Sequence, residues 1–143
     1  MQKNDDIKIY VYYYKPGSIL QTDKVYKPVM AGNALHSDNK TITGDDSGIN
    51  ISAKNQYYSE LTGIFWVWKN TCQEITGSCH YRRFFTLQPE PLVYRVKRLA
   101  YFFAVLKKKR FGLIYTSNAD LFVPRILKGN EIKELLEKYD AIL

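Results

Sequence analysis

The chain opens with a run of β-branched and aromatic residues that predicts a buried strand. Residues 7–14 read Ile-Lys-Ile-Tyr-Val-Tyr-Tyr-Tyr, and such a run is typical of a strand covered on both faces. We expect it to be a central strand, ended by Lys15-Pro16-Gly17, because proline and glycine interrupt strands. A second, short strand is predicted around residues 25–30. The polar residues 36–50 are predicted to form a loop.

Residues 57–70 carry apolar side chains every three or four positions, which predicts a helix. Ser52 or Asn55 is expected to cap its N-terminus, because both side chains can accept a backbone hydrogen bond. A helix with this spacing buries one apolar stripe. The residues predicted to face the core are Leu61, Ile64, Phe65 and Trp68.

The remaining pattern alternates between strand and helix. A short buried strand is predicted over residues 75–79, and a second helix over 92–110 that ends in four consecutive cations. Another strand is predicted over residues 113–115. Asn130 is predicted to cap a last helix, and residues 140–143 are predicted to begin a further strand. This order of strands and helices favours an α/β sheet.

Length and composition restrict the class of protein. The chain has 143 residues, of which 45% are hydrophobic and 15% aromatic, so it corresponds to one globular domain and not to a disordered chain. Only two cysteines occur, and residues 1–6 are polar without a signal-peptide apolar core. No apolar run reaches the ~18 residues of a membrane-spanning helix. We therefore expect a cytoplasmic protein.

The net charge of +7 is confined to the second half of the chain. Residues 1–78 carry equal numbers of acidic and basic side chains, whereas residues 79–143 carry the whole excess. A basic half suggests an anionic partner. One reading is a non-catalytic binding module that contacts nucleic acid or an anionic membrane. Its contact residues would be Arg95, Lys97, Arg98 and Lys107 to Arg110, with Tyr94, Tyr101, Phe102 and Phe103 between them.

The four residues that follow the strand at 75–79 form the most informative polar cluster. They are His80, Tyr81, Arg82 and Arg83. Ligands of open α/β sheets bind outside the carboxyl ends of the strands, and arginine binds phosphate oxygens in pairs. The cluster thus predicts a phosphate site. A surface salt-bridge network or an ordinary basic turn is the competing interpretation.

A second polar cluster surrounds the start of the predicted aromatic helix. It contains Asn50, Lys54, Asn55 and Glu60. A helix N-terminus favours anions, although Glu60 could simply complement the helix dipole. A metal site built from Cys72, Cys79, His80 and His36 is also conceivable, but the spacing matches no zinc pattern.

Three sequence blocks together resemble a known family. Lys54-Asn55 leads to Glu60-Leu61-Thr62 and Trp66-Val67-Trp68-Lys69-Asn70, and then comes His80-Tyr81-Arg82-Arg83-Phe84-Phe85. These blocks resemble a family of bacterial glycosyltransferases from capsular and exopolysaccharide loci, long labelled a domain of unknown function. The resemblance covers residues 7–85 and 129–143. It implies that 1–143 is the N-terminal part of a single domain, with 86–128 as a possible insert.

The resemblance also implies a fold and a chemistry. It implies a GT-A-like (Rossmann-like) mixed sheet flanked by helices, a nucleotide-sugar donor, and a glycan or lipid-linked acceptor with possible peripheral contact to an anionic membrane. Nucleic acid is then not expected as a partner. The donor diphosphate is expected at His80, Tyr81, Arg82 and Arg83, and the rest of the pocket at Tyr12, Lys15, Asn50, Lys54, Asn55 and Glu60.

A divalent metal is the remaining cofactor question. GT-A-like enzymes usually hold a metal with an Asp-x-Asp motif, and this sequence has none. Asn118-Ala119-Asp120 is the nearest approximation, so Asn118 and Asp120 are weak metal candidates. Without a metal, Arg82 and Arg83 are the expected replacement for neutralising the departing diphosphate. No general base is assigned from the sequence.

Overall fold

The computed structural model describes residues 7–15, 23–36, 39, 41–89, 91–93, 96 and 122–142. The chain divides into two compact units, residues 86–125 and the remainder. The remainder contains a sheet in which neighbouring strands pair in parallel, in the order β3-β2-β1-β4. The strands are β1 (Ile7–Tyr13), β2 (Tyr26–Met30), β3 (Thr43–Gly44) and β4 (Ile75–His80).

Strand β1 lies in the interior of the sheet, as predicted, with β2 on one side and β4 on the other. Its side chains alternate between the two faces. Tyr10 and Tyr12 belong to one buried cluster, whereas Ile9, Val11 and Tyr13 belong to another. Both faces are therefore covered, which explains why the sequence of β1 is apolar throughout.

Among the described residues of this unit, three α-helices flank the sheet, namely α1 (Asn55–Tyr58), α2 (Leu61–Asn70) and α3 (Gly129–Leu136). Trp66 and Val67 of α2 pack with Tyr10 and Tyr12 on one face. Ile132 of α3 belongs to the cluster on the other face, together with the preceding Ile126 and Leu127. This parallel sheet flanked by helices is the predicted α/β class.

The predicted core face of the aromatic helix is wrong. The buried residues of α2 are Thr62, Gly63, Trp66 and Val67. The predicted core residues Leu61, Ile64 and Trp68 are exposed, and Phe65 is half-buried. The reason is that α2 turns its smallest residues toward the sheet and so approaches it closely. The Nε1–H of Trp66 donates to the backbone oxygen of Ser47 at 3.0 Å, which satisfies the polar edge of the buried indole.

The predicted helix over 57–70 is also interrupted. It ends at Tyr58 and begins again at Leu61, because Ser59 has a φ of 49° that no helix contains. Neither proposed capping side chain caps a helix. The Ser52 hydroxyl accepts from the backbone N–H of Ala34 at 3.0 Å instead.

Four smaller predictions need correction. Within the described sheet β4 is an edge strand, and only Cys79 of its residues is buried. The predicted loop over 36–50 contains the short strand β3. The last helix begins at Gly129 and Asn130 does not cap it, because the Glu131 carboxylate accepts the backbone N–H of Lys128 at 2.7 Å and so closes the first turn. Residues 140–142 do not form the predicted strand.

The predicted helix over 92–110 falls largely outside the described residues. Leu92, Val93 and Val96 are helical and exposed, whereas residues 97–110 and the predicted strand 113–115 lie outside the described ranges. Within those ranges, no helix is long and apolar enough to cross a membrane.

Candidate functional site

The topology of the sheet marks a crevice between β1 and β4. The chain moves from β1 to β2 and β3 on one side, and then returns to place β4 on the opposite side of β1. In such sheets ligands bind where the strand order reverses, outside the carboxyl ends of the strands. Tyr14 and Lys15 follow β1 at this point, and the residues from Tyr81 to Arg83 follow β4. The candidate site is therefore the carboxyl edge of β1 and β4.

The chain turns sharply where β4 ends. The last ladder bond runs from the backbone N–H of Tyr81 to the carbonyl of Tyr12 at 3.2 Å, and the N–H of Arg83 then returns to the carbonyl of His80 at 2.8 Å. In a continuing strand Arg82 and Arg83 would point to opposite faces. Since the strand has ended, that restriction no longer applies, and both side chains are exposed at the crevice.

Arg82 is held by an aromatic ring and not by an acid. Its guanidinium carbon lies 4.9 Å from the ring centroid of Tyr81, a distance at which the cation is attracted by the ring face. Neither Arg82 nor Arg83 forms an ion pair with a carboxylate among the described residues. The predicted alternative of a salt-bridge network therefore has no partner in the described part of the chain.

Tyr81 is the centre of an aromatic cluster at the crevice. Its ring centroid lies 5.6 Å from those of both Tyr13 and Tyr14, and 4.4 Å from that of His80. A hydrogen bond from Tyr81 lowers the pKa of the Tyr14 hydroxyl, and the ammonium group of Lys15, 5.1 Å from the Tyr14 ring centroid, acts in the same direction. The cluster thus presents two phenol groups beside the cations Lys15 and Arg82. We call His80, Tyr81, Tyr14, Lys15, Arg82 and Arg83 the Tyr81 cluster.

The surroundings of His80 favour its neutral form. Burial lowers the pKa of its imidazole, as do the charges of Arg82 and Arg83, whereas the carboxylate of Glu60 raises it. The Nδ1 atom accepts the backbone N–H of Arg82 at 3.2 Å. The neutral ring therefore carries its proton on Nε2, which leaves one donor for a ligand.

A buried carboxylate fixes the loop that follows β2. Asp45 has no exposed surface, and its two oxygens accept the backbone N–H groups of Gly32 and Asn33, each at 2.9 Å. It also accepts the hydroxyl of Ser52, which is equally buried. This network joins the carboxyl end of β2 to the segment that precedes α1. No sequence pattern indicates this network, because Asp45 stands in a polar stretch typical of an exposed loop.

The turn between α1 and α2 is locked by Asn55. Its Nδ2 donates to the carbonyl of Ser59 at 2.7 Å and to the hydroxyl of Thr62 at 2.9 Å. Asn55 also packs on Gly32, where an added Cβ would lie only 2.5 Å from the Asn55 Cβ. The carboxylate of Glu60 follows this turn and is exposed. Asn55 is thus a structural residue that positions Glu60.

A comparison of the sequence with models of known protein families assigns the chain to a family. The model of a family described as domain of unknown function DUF4422 matches residues 8–143. The chain belongs to this DUF4422 family. No curated protein matches it.

The fold is similar to that of a glycosyltransferase. The apo structure of the bifunctional glycosyltransferase WbbM matches with a TM-score of 0.63 and 27% sequence identity. The alignment covers 92% of this chain but 21% of that chain, so the DUF4422 chain spans about a fifth of the length of WbbM. The GT-A-like sheet flanked by helices is therefore confirmed as the fold.

The structure brings part of the predicted pocket together. His80, Tyr81, Arg82, Arg83 and Lys15 lie at the switch point, and Glu60 is close enough to act on the pKa of His80. Tyr14, which lies within the stretch from Tyr12 to Lys15 that is predicted to be near the nucleotide, belongs with them.

Three other predicted pocket residues have local roles. Tyr12 is buried beneath α2, and its hydroxyl lies 3.4 Å from Ser78 Oγ. Burial raises the pKa of this hydroxyl to about 12. The amide of Asn50 donates within its own loop, to the carbonyls of Asp46 and Gly48. Lys54 is exposed on the turn before α1.

A groove of about 530 Å³ lies elsewhere in the DUF4422 chain. It follows the amino half of β4 on the α3 side, and its lining includes Ile75, Phe85, Ile132 and Leu136. It does not include His80, so a pocket beside His80 stays a prediction.

The metal candidates Asn118 and Asp120 lie outside the described residues. Within the described ranges, no group of three histidine, cysteine or acidic residues is placed to hold a metal ion. Cys79 is buried, and burial raises the pKa of its thiol to about 11, which opposes the thiolate form that metal binding needs. The described residues therefore do not fit a bound divalent metal.

Proposed function

We propose that this chain is the donor-binding part of a glycosyltransferase. It would transfer a sugar from a nucleotide-sugar donor to a surface-polysaccharide or lipid-linked glycan acceptor. Membership of the DUF4422 family and the likeness to WbbM support the reaction class. The observation that carries the proposal is the pair Arg82 and Arg83, exposed without a described carboxylate partner at the switch point between β1 and β4.

The chemistry of glycosyl transfer explains why two arginines belong there. The bond between the anomeric carbon and the diphosphate breaks, and negative charge develops on the departing diphosphate. Fixed cations beside the departing diphosphate stabilise the transition state. Arg82 is pre-oriented because its guanidinium rests on the Tyr81 ring, and a planar guanidinium binds two phosphate oxygens at once. Lys15 adds a third cation at the end of β1.

Calorimetric titration with uridine diphosphate and guanosine diphosphate tests the clamp. The variants are Arg82→Ala, Arg83→Ala and Arg82→Lys, each with and without magnesium. A charge-assisted hydrogen bond contributes about 1.5–3 kcal/mol, so each alanine variant should lose roughly 10-fold to 100-fold in affinity. Arg82→Lys should weaken binding despite its retained charge.

Lys138→Ala is the matched control, because it removes one exposed cation from the residues that follow α3. It should leave the affinity within a factor of about two, since surface charges separated by more than a Debye length are largely screened. Wild-type affinity in both alanine variants would rule out the clamp. Strict magnesium dependence would instead indicate a metal site, with Asn118 and Asp120 as the first residues to test.

The membrane contact is a further part of the proposal. Lipid-linked acceptors are held at a membrane surface. The chain carries exposed apolar residues at Leu92, Val93 and Val96, and Arg95, Lys97 and Arg98 lie next to them in the sequence. Each near-surface cation contributes about 1 kcal/mol to binding an anionic surface. Co-sedimentation with anionic and neutral vesicles, at low and high salt, checks this. Equal binding to both vesicle types would contradict it, and binding without any nucleotide affinity would favour the non-catalytic module.

A further inference from the structure

The end of β4 and the helix α2 lie on the same face of the sheet. Ser78 Oγ lies 3.4 Å from the hydroxyl of Tyr12, so Ser78 shares the α2 face. His80 stands two positions further along the same strand and therefore points to that face as well. Gly63, in the first turn of α2, rests on the Tyr12 ring. Since Tyr12 pairs with His80 in the sheet, α2 covers the face of the sheet to which His80 points.

Glu60 is the acidic residue that immediately precedes α2. Its carboxylate is exposed and forms no ion pair with a described residue, and its charge acts on the imidazole of His80. Its backbone is fixed, because Asn55 and Thr62 both donate to the carbonyl of the preceding Ser59, at 2.7 and 3.1 Å.

Ser59 itself has φ 49° and ψ −132°. Among the described residues it is the non-glycine residue with a positive φ. Strained backbone of this kind persists where the surrounding contacts over-determine it, and it concentrates at functional sites. The strain at Ser59 sets the direction in which the chain presents Glu60.

The other described carboxylates are placed elsewhere. Asp45 is fully buried and accepts three hydrogen bonds. Asp23 precedes β2 and Glu74 precedes β4, so both lie at the amino end of the sheet. Asp46 follows β3, two strands away from β1. The acidic residues of α3 belong to a helix that packs on the opposite face. Glu137 and Asp140 follow that helix, and Asp140 lines the groove on its side.

We propose that Glu60 is the general base of the transfer, an assignment that rests on the proposed glycosyltransferase function. The Glu60 carboxylate takes the proton of the acceptor hydroxyl as that oxygen bonds to the anomeric carbon of the donor. The bond from the anomeric carbon to the diphosphate breaks in the same step, and its electron pair leaves with the diphosphate held by Arg82 and Arg83. The reaction is a single displacement, so the product has the inverted anomeric configuration.

The neighbours of Glu60 suit this role. The exposed carboxylate of Glu60 forms no ion pair with a described residue, so its oxygens are available to accept a proton. Neutral His80 carries its proton on Nε2 and can donate to the acceptor oxygen or to Glu60. Asn55 is a positioning residue, because it acts on Glu60 through the Ser59 carbonyl.

The test compares the variants Glu60→Gln and Glu60→Asp with the wild type, each as the full-length chain. Glu134→Gln on α3 is the matched control. Turnover is the release of nucleoside diphosphate from a panel of uridine- and guanosine-diphosphate hexoses, with water or added oligosaccharides as acceptor. Removing a general base lowers kcat by about 10²–10⁴-fold. We expect this loss in Glu60→Gln, a smaller loss in Glu60→Asp and none in Glu134→Gln. The KM for the donor should stay within about threefold.

Two further measurements separate chemistry from structure. Uridine diphosphate should bind Glu60→Gln at least as tightly as wild type, because a negative charge near the diphosphate has been removed. The NMR titration of His80 should show a lower pKa in Glu60→Gln and an unchanged pKa in Glu134→Gln. The acidic limb of the pH profile of kcat should be absent from the residual activity of Glu60→Gln.

The outcomes that overturn the proposal are distinct from those that overturn the proposed function. If wild type binds no nucleoside diphosphate, the function falls and the base falls with it. If wild type binds the nucleotide but turns over no donor, the transfer function and the base assignment both fall. If Glu60→Gln keeps kcat within threefold of an active wild type, only the base assignment falls. A His80 pKa that does not respond to Glu60→Gln, or a product of retained configuration, overturns it as well.

Discussion

Gly63 of α2 lies directly on the ring of Tyr12 in β1. A Cβ atom at position 63 would lie 2.5 Å from Cδ1 and 2.8 Å from Cε1 of that ring. The helix therefore approaches the sheet at a distance that only glycine allows. Because Tyr12 pairs with His80 across the neighbouring strand, this contact also sets how closely the start of α2 stands to the candidate site.

Gly63→Ala should destabilise the protein, although alanine favours a helix by about 1 kcal/mol over glycine. The added methyl group must displace either α2 or the buried Tyr12 ring, and overpacking of this kind costs about 1–3 kcal/mol. Urea denaturation followed by tryptophan fluorescence measures the change. Gln56→Ala, at an exposed position of α1, is the control and should stay within about 0.5 kcal/mol of wild type. A Gly63→Ala protein more stable than wild type would contradict the close contact.

The sequence predicted the sheet better than the helix faces, for a physical reason. Residues 7–14 are apolar on both alternating sets, a pattern that only a strand buried on both faces requires. Helix α2 is apolar nearly all round, so its periodicity is compatible with two different buried stripes. The sequence analysis predicts burial of the stripe with the larger side chains, whereas the folded protein buries the stripe that contains Thr62 and Gly63.

The part of the candidate site that directly follows the ends of the strands was predictable from the sequence. Polar residues after an apolar strand are visible in the sequence, and this identified the cluster from His80 to Arg83. The buried Asp45 was not predictable, because its burial depends on the backbone N–H groups of Gly32 and Asn33, twelve or more positions earlier in the chain. The strain at Ser59 is likewise a product of tertiary contacts.

The two tryptophans of α2 should differ sharply in their contribution to stability. Trp66 is 9% exposed and Trp68 is 68% exposed. Trp66→Ala should lower the free energy of unfolding by about 3–5 kcal/mol. Trp68→Ala should lower it by less than about 1 kcal/mol, because its ring loses little buried surface. Chemical denaturation of both variants decides the question, and a larger loss for Trp68→Ala would reverse the assignment of the helix face.

Asp45→Ala should be among the most destabilising substitutions in this chain. It leaves two backbone N–H groups and the Ser52 hydroxyl without an acceptor in a fully buried place. An unsatisfied buried donor costs about 1–3 kcal/mol, so the total loss should reach roughly 3 kcal/mol or more. Asp45→Asn should lose less, since one acceptor oxygen remains. The neighbouring and exposed Asp46 supplies the control, Asp46→Ala, which should stay within about 1 kcal/mol of wild type.

Ser59→Gly should stabilise the protein. At φ 49° and ψ −132°, a residue with a side chain is strained and glycine is not. The relief should exceed the added entropy of the unfolded chain, and we expect a net gain of about 1 kcal/mol. The hydrogen bonds from Asn55 and Thr62 reach the backbone carbonyl and so survive the substitution. A thermal melt measures the gain, and a lower melting temperature for Ser59→Gly would show that the turn is not strained.

The neutral state of His80 should make stability depend on pH. Burial and the charge of Arg82 lower the pKa of His80 in the folded protein below the ordinary histidine value of 6.5. The unfolded chain therefore binds a proton at a pH where the folded protein does not, so stability rises with pH in this window. The contribution is fully present above about pH 6.5 and is lost as the pH falls through the lower folded pKa. Protonation of Nδ1 also removes the acceptor of the Arg82 N–H.

Urea midpoints between pH 5 and 8 measure this effect in wild type and in His80→Gln. The variant has no imidazole to protonate, so its midpoint should fall less than that of wild type as the pH is lowered from 7 to 5. Arg82→Ala should weaken the dependence, because it removes the second cause of the low pKa. His36→Gln leaves His80 and its bond from Arg82 in place, and should keep the wild-type difference. Equal slopes in wild type and His80→Gln would mean that the imidazole of His80 is not held neutral at the end of β4.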